Sequence, residues 1–117
     1  MRRVAWIAGI VLALALGLAG CRTATSAGST PVATARVEMP PSYRFDPPVI
    51  TVKAGTTVTW HNSDHFTHSV RLLDGSGVEK VAAPGESVSI TFNDPGEYEY
   101  DCSFHPRDMR GKVIVTE

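Results

Sequence analysis

The chain is predicted to fold as an all-β sandwich, on three observations. Short segments alternate apolar and polar residues with period two, as in Thr57-Val58-Thr59-Trp60-His61-Asn62 and Ser87-Val88-Ser89-Ile90-Thr91-Phe92. Turn signals rich in Gly, Pro, Asn and Asp punctuate these segments regularly. No stretch after the first twenty residues reads as a helix.

Each element has its own warrant. Val49-Ile50-Thr51-Val52 is a strand opened by Pro47-Pro48 and closed by Lys53-Ala54-Gly55. In the next strand Val58 and Trp60 share one face, which turns His61 toward solvent. His68-Ser69-Val70-Arg71 is a short strand followed by the turn Asp74-Gly75-Ser76-Gly77. Pro84-Gly85 precedes a strand with Val88, Ile90 and Phe92 inward, and Asn93-Asp94-Pro95-Gly96 is a strong turn. Tyr98 and Tyr100 share a face of the next strand, and Val113-Ile114-Val115 closes the fold. Val37 to Phe45 adds an edge strand whose pairing Pro40-Pro41 limits. Trp60, Phe92, Tyr98 and Tyr100 are expected in the core, and Met39 is expected to pack rather than bind metal.

The N-terminal third is of another kind. Met1-Arg2-Arg3 is basic, Val4 to Leu18 is almost wholly apolar, and Leu18-Ala19-Gly20 ends in small residues. This is the layout of a secretory signal peptide over residues 1–20. The run is short for a bilayer span, which disfavours a retained anchor. Leu18-Ala19-Gly20-Cys21 resembles the bacterial lipobox, which implies a lipidated Cys21 as the mature N-terminus and an extracytoplasmic, membrane-anchored protein. Several acyl chains, at about 0.8 kcal/mol per buried methylene, hold a small domain firmly. Residues 21–36, rich in Thr, Ser, Ala and Gly, read as a flexible tether spanning on the order of 20 Å. One ordered domain is expected over 37–117.

Cysteine usage and charge narrow the function. Only 2 cysteines are present. Lipidation of Cys21 leaves Cys102 alone in an oxidising compartment, where metal ligation explains a lone thiol better than a Cys21–Cys102 disulfide would. Of the 11 Lys and Arg, Arg2 and Arg3 lie in the leader, against 12 Asp and Glu. The mature segment is mildly acidic, and it has no basic stripe for nucleic acid.

The segment Tyr98 to Val113 carries the chemistry. It reads as a strand, a loop holding Cys102, His105 and Met109, and a second strand. A thiolate, an imidazole and a thioether form a soft, mixed donor set suited to copper and poorly suited to magnesium or calcium. A trigonal copper site needs a second imidazole, and His68 is the best donor. His61 and His65 lie near His68 in sequence, but a second metal site there is disfavoured. A structural zinc site would also take one Cys and two His. The lack of a further cysteine pair and the placement of Met109 count against it. A dinuclear copper loop needs two cysteines.

These pieces together resemble the cupredoxins, small blue-copper electron carriers, most nearly the plastocyanin and amicyanin group. The resemblance runs from Phe45 to Val115. It is carried by Phe45-Asp46-Pro47, Val52 to Gly55, Val58 to Asp64, His68-Ser69-Val70, Pro84-Gly85-Glu86, Pro95 to Tyr100 and Cys102 to Val115, all in family order. It implies a Greek-key β-sandwich, one copper ion held by His68, Cys102, His105 and Met109, and redox protein partners that dock near an exposed edge of His105. It also implies an electron carrier rather than an enzyme, here expected as a monomer. Copper delivery, buffering or resistance is the rival reading.

Three departures from the family pattern bear on the site. Thr67 and Ser69 flank His68 where the family usually has Pro and Asn; the resemblance implies that the Asn braces the Cys loop, so Ser69 is expected to brace it less well, through Ser103. Phe104 replaces a common Pro and retains an N–H, which is expected to point at the Cys102 sulfur. Between His105 and Met109 lie Pro106, Arg107 and Asp108, intermediate between the two subgroups.

The lipobox generates the first prediction. Cys21→Ser should release the protein from membranes and leave its metal site unchanged. Cell fractionation checks this, and a variant still firmly membrane-bound would mean that the apolar leader is a retained helix.

Overall fold

A computed structural model describes residues 29–117. The expected signal peptide, Cys21 and most of the tether lie outside the described residues. Nine strands form two sheets, and no helix occurs among the described residues. They are β1 (Val32–Ala33), β2 (Arg36–Met39), β3 (Val49–Lys53), β4 (Thr56–Asn62), β5 (His68–Leu72), β6 (Glu79–Ala82), β7 (Ser87–Phe92), β8 (Gly96–Asp101) and β9 (Arg110–Thr116). One sheet runs β1-β3-β9-β8-β5-β6, and the other runs β2-β4-β7.

The all-β sandwich and most expected strands are present. The alternation in β4 buries Val58, Trp60 and Asn62. The expected edge strand is β2, which pairs parallel to β4 and stops at Met39, before the two prolines. Two strands were not anticipated. β1 falls inside the stretch expected as tether and pairs parallel to β3, Val32 opposite Ile50. β6 pairs with β5, yet its pattern buries only Ala82, so it carries no apolar alternation to read. Its charged, exposed Glu79 and Lys80 blunt a sheet edge.

Aromatic rings fill the space between the sheets. Tyr100 and Trp60 are fully enclosed, with ring centroids 5.3 Å apart in an edge-to-face arrangement. Phe45 meets Tyr100 at 4.7 Å and Phe92 meets Trp60 at 6.4 Å. Burying an aromatic side chain of about 150–250 Å² contributes roughly 4–6 kcal/mol at about 25 cal/mol per Å².

Tyr100 on β8 lies opposite Gly111 on β9 and covers it. A Cβ at Gly111 would lie 2.8 Å from Tyr100 Cε2 and closer still to Cζ and the hydroxyl oxygen. The ring therefore needs a glycine there. Gly111→Ala is expected to destabilise the domain by about 1–3 kcal/mol, the usual cost of overpacking. Urea unfolding of the metal-free protein checks this, and an unchanged midpoint would show that the ring moves aside freely.

Candidate metal centre

The site forms where two loops meet at one end of the sandwich. The first joins β4 to β5 and so crosses from the three-stranded sheet to the six-stranded one. The buried side chain of Asn62 organises it. Asn62 Nδ2 donates to Phe66 O at 2.8 Å and to Ala82 O at 2.9 Å, while Oδ1 accepts from Asp64 N–H at 2.9 Å. An Asx turn of this kind is what an asparagine at a strand end favours. It delivers His68, fully buried, to the start of β5.

The second loop joins β8 to β9 and closes on itself through its backbone. Cys102 N–H donates to Met109 O at 3.1 Å, His105 N–H to Cys102 O at 3.1 Å, and Met109 N–H to His105 O at 3.0 Å. Cys102 and Met109 are fully buried, and His105 is half-buried.

His68, Cys102 and His105 come together, with one donor atom of each within 4.8 Å of the others. Cys102 Sγ lies 3.8 Å from His68 Nδ1 and 4.0 Å from His105 Nδ1. First-row metal bonds of about 2.0–2.3 Å to nitrogen and sulfur would place three trigonal donors roughly 3.5–4 Å apart. The three residues therefore fit a metal ion as they stand. Met109, in the same loop, adds a thioether to the donor set. His61 and His65 do not join this group. His61 Nδ1 instead lies 2.9 Å from Ser87 Oγ, near the surface.

The second nitrogen of His68 decides how the first is used. His68 Nε2 lies 2.8 Å from the buried Asp64 carboxylate. The hydrogen bond from His68 is the largest influence on Asp64 and holds its carboxyl below the usual carboxylate range. An ionised carboxylate only accepts, so Nε2 carries the proton and Nδ1 turns a lone pair toward Cys102. The sequence reading did not assign Asp64 a role, although an acid four residues before a ligand histidine is a usable signal.

Hydrogen bonding at the sulfur is partly as expected. Ser69 N–H donates to Cys102 Sγ at 3.3 Å, and Ser69 Oγ lies 3.9 Å away. Ser69 does brace the loop through Ser103, whose N–H donates to Ser69 Oγ at 2.8 Å. Phe104 corrects its expectation. Among the described residues the hydrogen-bond donors positioned at Sγ come from Ser69. The tight turns after Cys102 leave the Phe104 side chain exposed. Next to Cys102, the buried Asp101 carboxylate accepts two bonds of 2.8 Å from Arg71, locking β8 to β5. This pairing holds Arg71 charged beyond its usual range.

The comparisons with known proteins agree with this geometry. A family model described as a cupredoxin-like domain matches residues 10–115. The chain belongs to the cupredoxin family. It is 38% identical to amicyanin-alpha of Methylorubrum extorquens over 98% of this chain and 99% of that protein. It is 33% identical to the chloroplastic plastocyanin of Tetradesmus obliquus over 93% of this chain and 74% of that one. Among solved structures, a purple cupredoxin from Nitrosopumilus maritimus superposes with a TM-score of 0.62 at 28% identity, covering 71% of this chain and all of the other. The cofactor of this cupredoxin is a single copper ion.

An aromatic side chain lies beside His105. The Tyr43 ring lies 4.4 Å from that of His105 and 6.0 Å from that of Phe66. Ser42 and Tyr43 both take left-handed backbone angles, with φ of 85° and 51°. Such angles cost non-glycine residues energy and concentrate at functional sites. Tyr43 thus borders the imidazole with Phe66 beyond it, and Phe66 and the sequence neighbour Phe104 are both more than half exposed.

Asp64 generates a prediction with a metal-free readout. In Asp64→Ala, the nitrogen NMR shifts of His68 should lose the single tautomer protonated at Nε2. Copper affinity should fall about 10–100-fold, as for other partners of ligand histidines. An unchanged tautomer and affinity would mean that packing alone orients His68.

Proposed function

We propose that this cupredoxin carries single electrons between redox partner proteins outside the cytoplasm, tethered to a membrane by lipid on Cys21. His68 Nδ1, Cys102 Sγ and His105 Nδ1 hold the copper, and Met109 supplies a fourth, weak thioether donor. Copper held there supplies one-electron chemistry between Cu(I) and Cu(II).

The observation that carries this reading is the fixed donor triangle of two imidazoles and one thiolate. Backbone bonds close the Cys102 loop, Asn62 shapes the other loop, and Asp64 orients His68. Donors held this way have little room to move when the oxidation state changes, which favours fast electron transfer. The half-buried His105 offers an edge to a partner, and Tyr43, Phe66 and Phe104 form the apolar surface on which that partner docks. Full burial of Cys102 and His68 opposes rapid metal exchange, which a delivery protein needs. The lipobox at Cys21 supports the extracytoplasmic location.

A visible spectrum of the copper-loaded protein tests the reading. Intense absorption toward the red end is expected from thiolate-to-copper charge transfer. Cys102→Ser should abolish it. Met109→Leu should keep a coloured site and raise the reduction potential, because a donor to the oxidised metal is lost. A colourless copper-loaded protein overturns the site, and copper that passes within seconds to a chelator favours copper handling over electron transfer. Unchanged spectrum and potential in Met109→Leu would remove Met109 from the ligand set.

A further inference from the structure

A line of hydroxyl groups runs from the buried sulfur to the surface. Ser69 N–H donates to Cys102 Sγ, and Ser103 N–H donates to Ser69 Oγ. The two hydroxyl oxygens lie 2.9 Å apart, and Ser103 Oγ donates to the carboxylate of Glu79 on β6. Strand pairing gathers these groups. Ser69 and Arg71 lie on one face of β5, two residues apart, and Arg71 sits opposite Glu79 on β6 and Asp101 on β8.

Proton counting gives the line a direction. A serine hydroxyl has one proton to donate, and an ionised carboxylate has none. Ser103 commits its proton to Glu79, so in the bond between the two hydroxyls Ser69 is the donor. The Ser69 proton therefore points away from the sulfur, although Ser69 Oγ lies 3.9 Å from it. The thiolate keeps the single backbone N–H at 3.3 Å.

We propose that Glu79 is a positioning residue for the copper centre, orienting the Ser103 and Ser69 hydroxyls so that Cys102 Sγ accepts one hydrogen bond from Ser69 instead of two. This rests on Cys102 being a copper ligand. Without the Glu79 acceptor, Ser103 Oγ–H turns to Ser69 Oγ, and Ser69 Oγ–H turns to Sγ. A second hydrogen bond draws electron density from the thiolate, weakens its donation to Cu(II) and favours the reduced state.

The test is Glu79→Ala in two backgrounds, with the reduction potential as the readout. In the wild-type background the reduction equilibrium should shift toward Cu(I) by up to about tenfold, which is about 59 mV for one electron. Removing a negative charge also raises the potential through space. The same change is therefore made in Ser69→Ala, where no hydroxyl can turn. The rise should be clearly smaller there. An equal rise in both backgrounds leaves only charge and overturns the proposal, as does no rise in the wild-type background. A metal-free measurement separates this from failure of the ligand assignment. In Glu79→Ala apoprotein the amide resonances of Ser69 and Ser103 should both shift, and the shifts should be lost with Ser69→Ala. Unmoved Ser69 and Ser103 amides overturn the hydroxyl line whatever the copper spectrum. A colourless wild-type protein overturns the assignment of Cys102 instead.

Discussion

A thiol enclosed between two imidazoles constrains everything around it. Cys102 has no solvent exposure, so its thiolate form depends on a cation and on directed donors for its stability. The imidazoles can serve a metal only through unprotonated nitrogens. For His68 that choice is made by the Asp64 carboxylate at the opposite nitrogen. Asp64 is itself buried and is held by the backbone N–H of His65 at 2.7 Å, within the turn that Asn62 shapes. A soft ligand triangle thus rests on a short run of hydrogen bonds reaching back into β4.

The hydrophobic core fixes the other loop. Tyr100 lies two residues before Cys102, and Gly111 lies two residues after Met109. The Tyr100 ring lies over Gly111, so the packing that stabilises the sandwich also sets the separation of the loop's two ends. Arg71 and Asp101 add a bidentate clamp between β5 and β8, immediately before the cysteine. Rigidity at the site is therefore a property of the core and its neighbouring strands.

The chemistry at the surface differs from that inside. His105 is reached through an apolar border of Tyr43, Phe66 and Phe104, while Glu79 and Ser103 approach the sulfur from the β6 edge. On the proposed reading, contact with a partner and adjustment of the sulfur fall to different residues. Substitution on one side can leave the other unchanged.

Local pattern determined much of this protein from its sequence alone. Period-two alternation in 57–62 and 87–92 marked β4 and β7, because one face of each strand packs into the core. Cys102, His105 and Met109 were legible as a donor set because they share one short loop. Tertiary structure decided the rest, where the determining distances cross between strands. His68, named from the sequence as the second imidazole, lies 34 positions before Cys102, and only the fold sets its 3.8 Å separation from the sulfur. Tyr43 reaches His105 only through two left-handed residues. β6 has one buried residue in four, so neither the strand nor the Glu79–Ser103 contact left an apolar signature. The direction of the Phe104 N–H escaped the sequence for the same reason. The Ser69 N–H reaches the sulfur, and the Phe104 N–H does not, because turn geometry aims each backbone group and composition cannot.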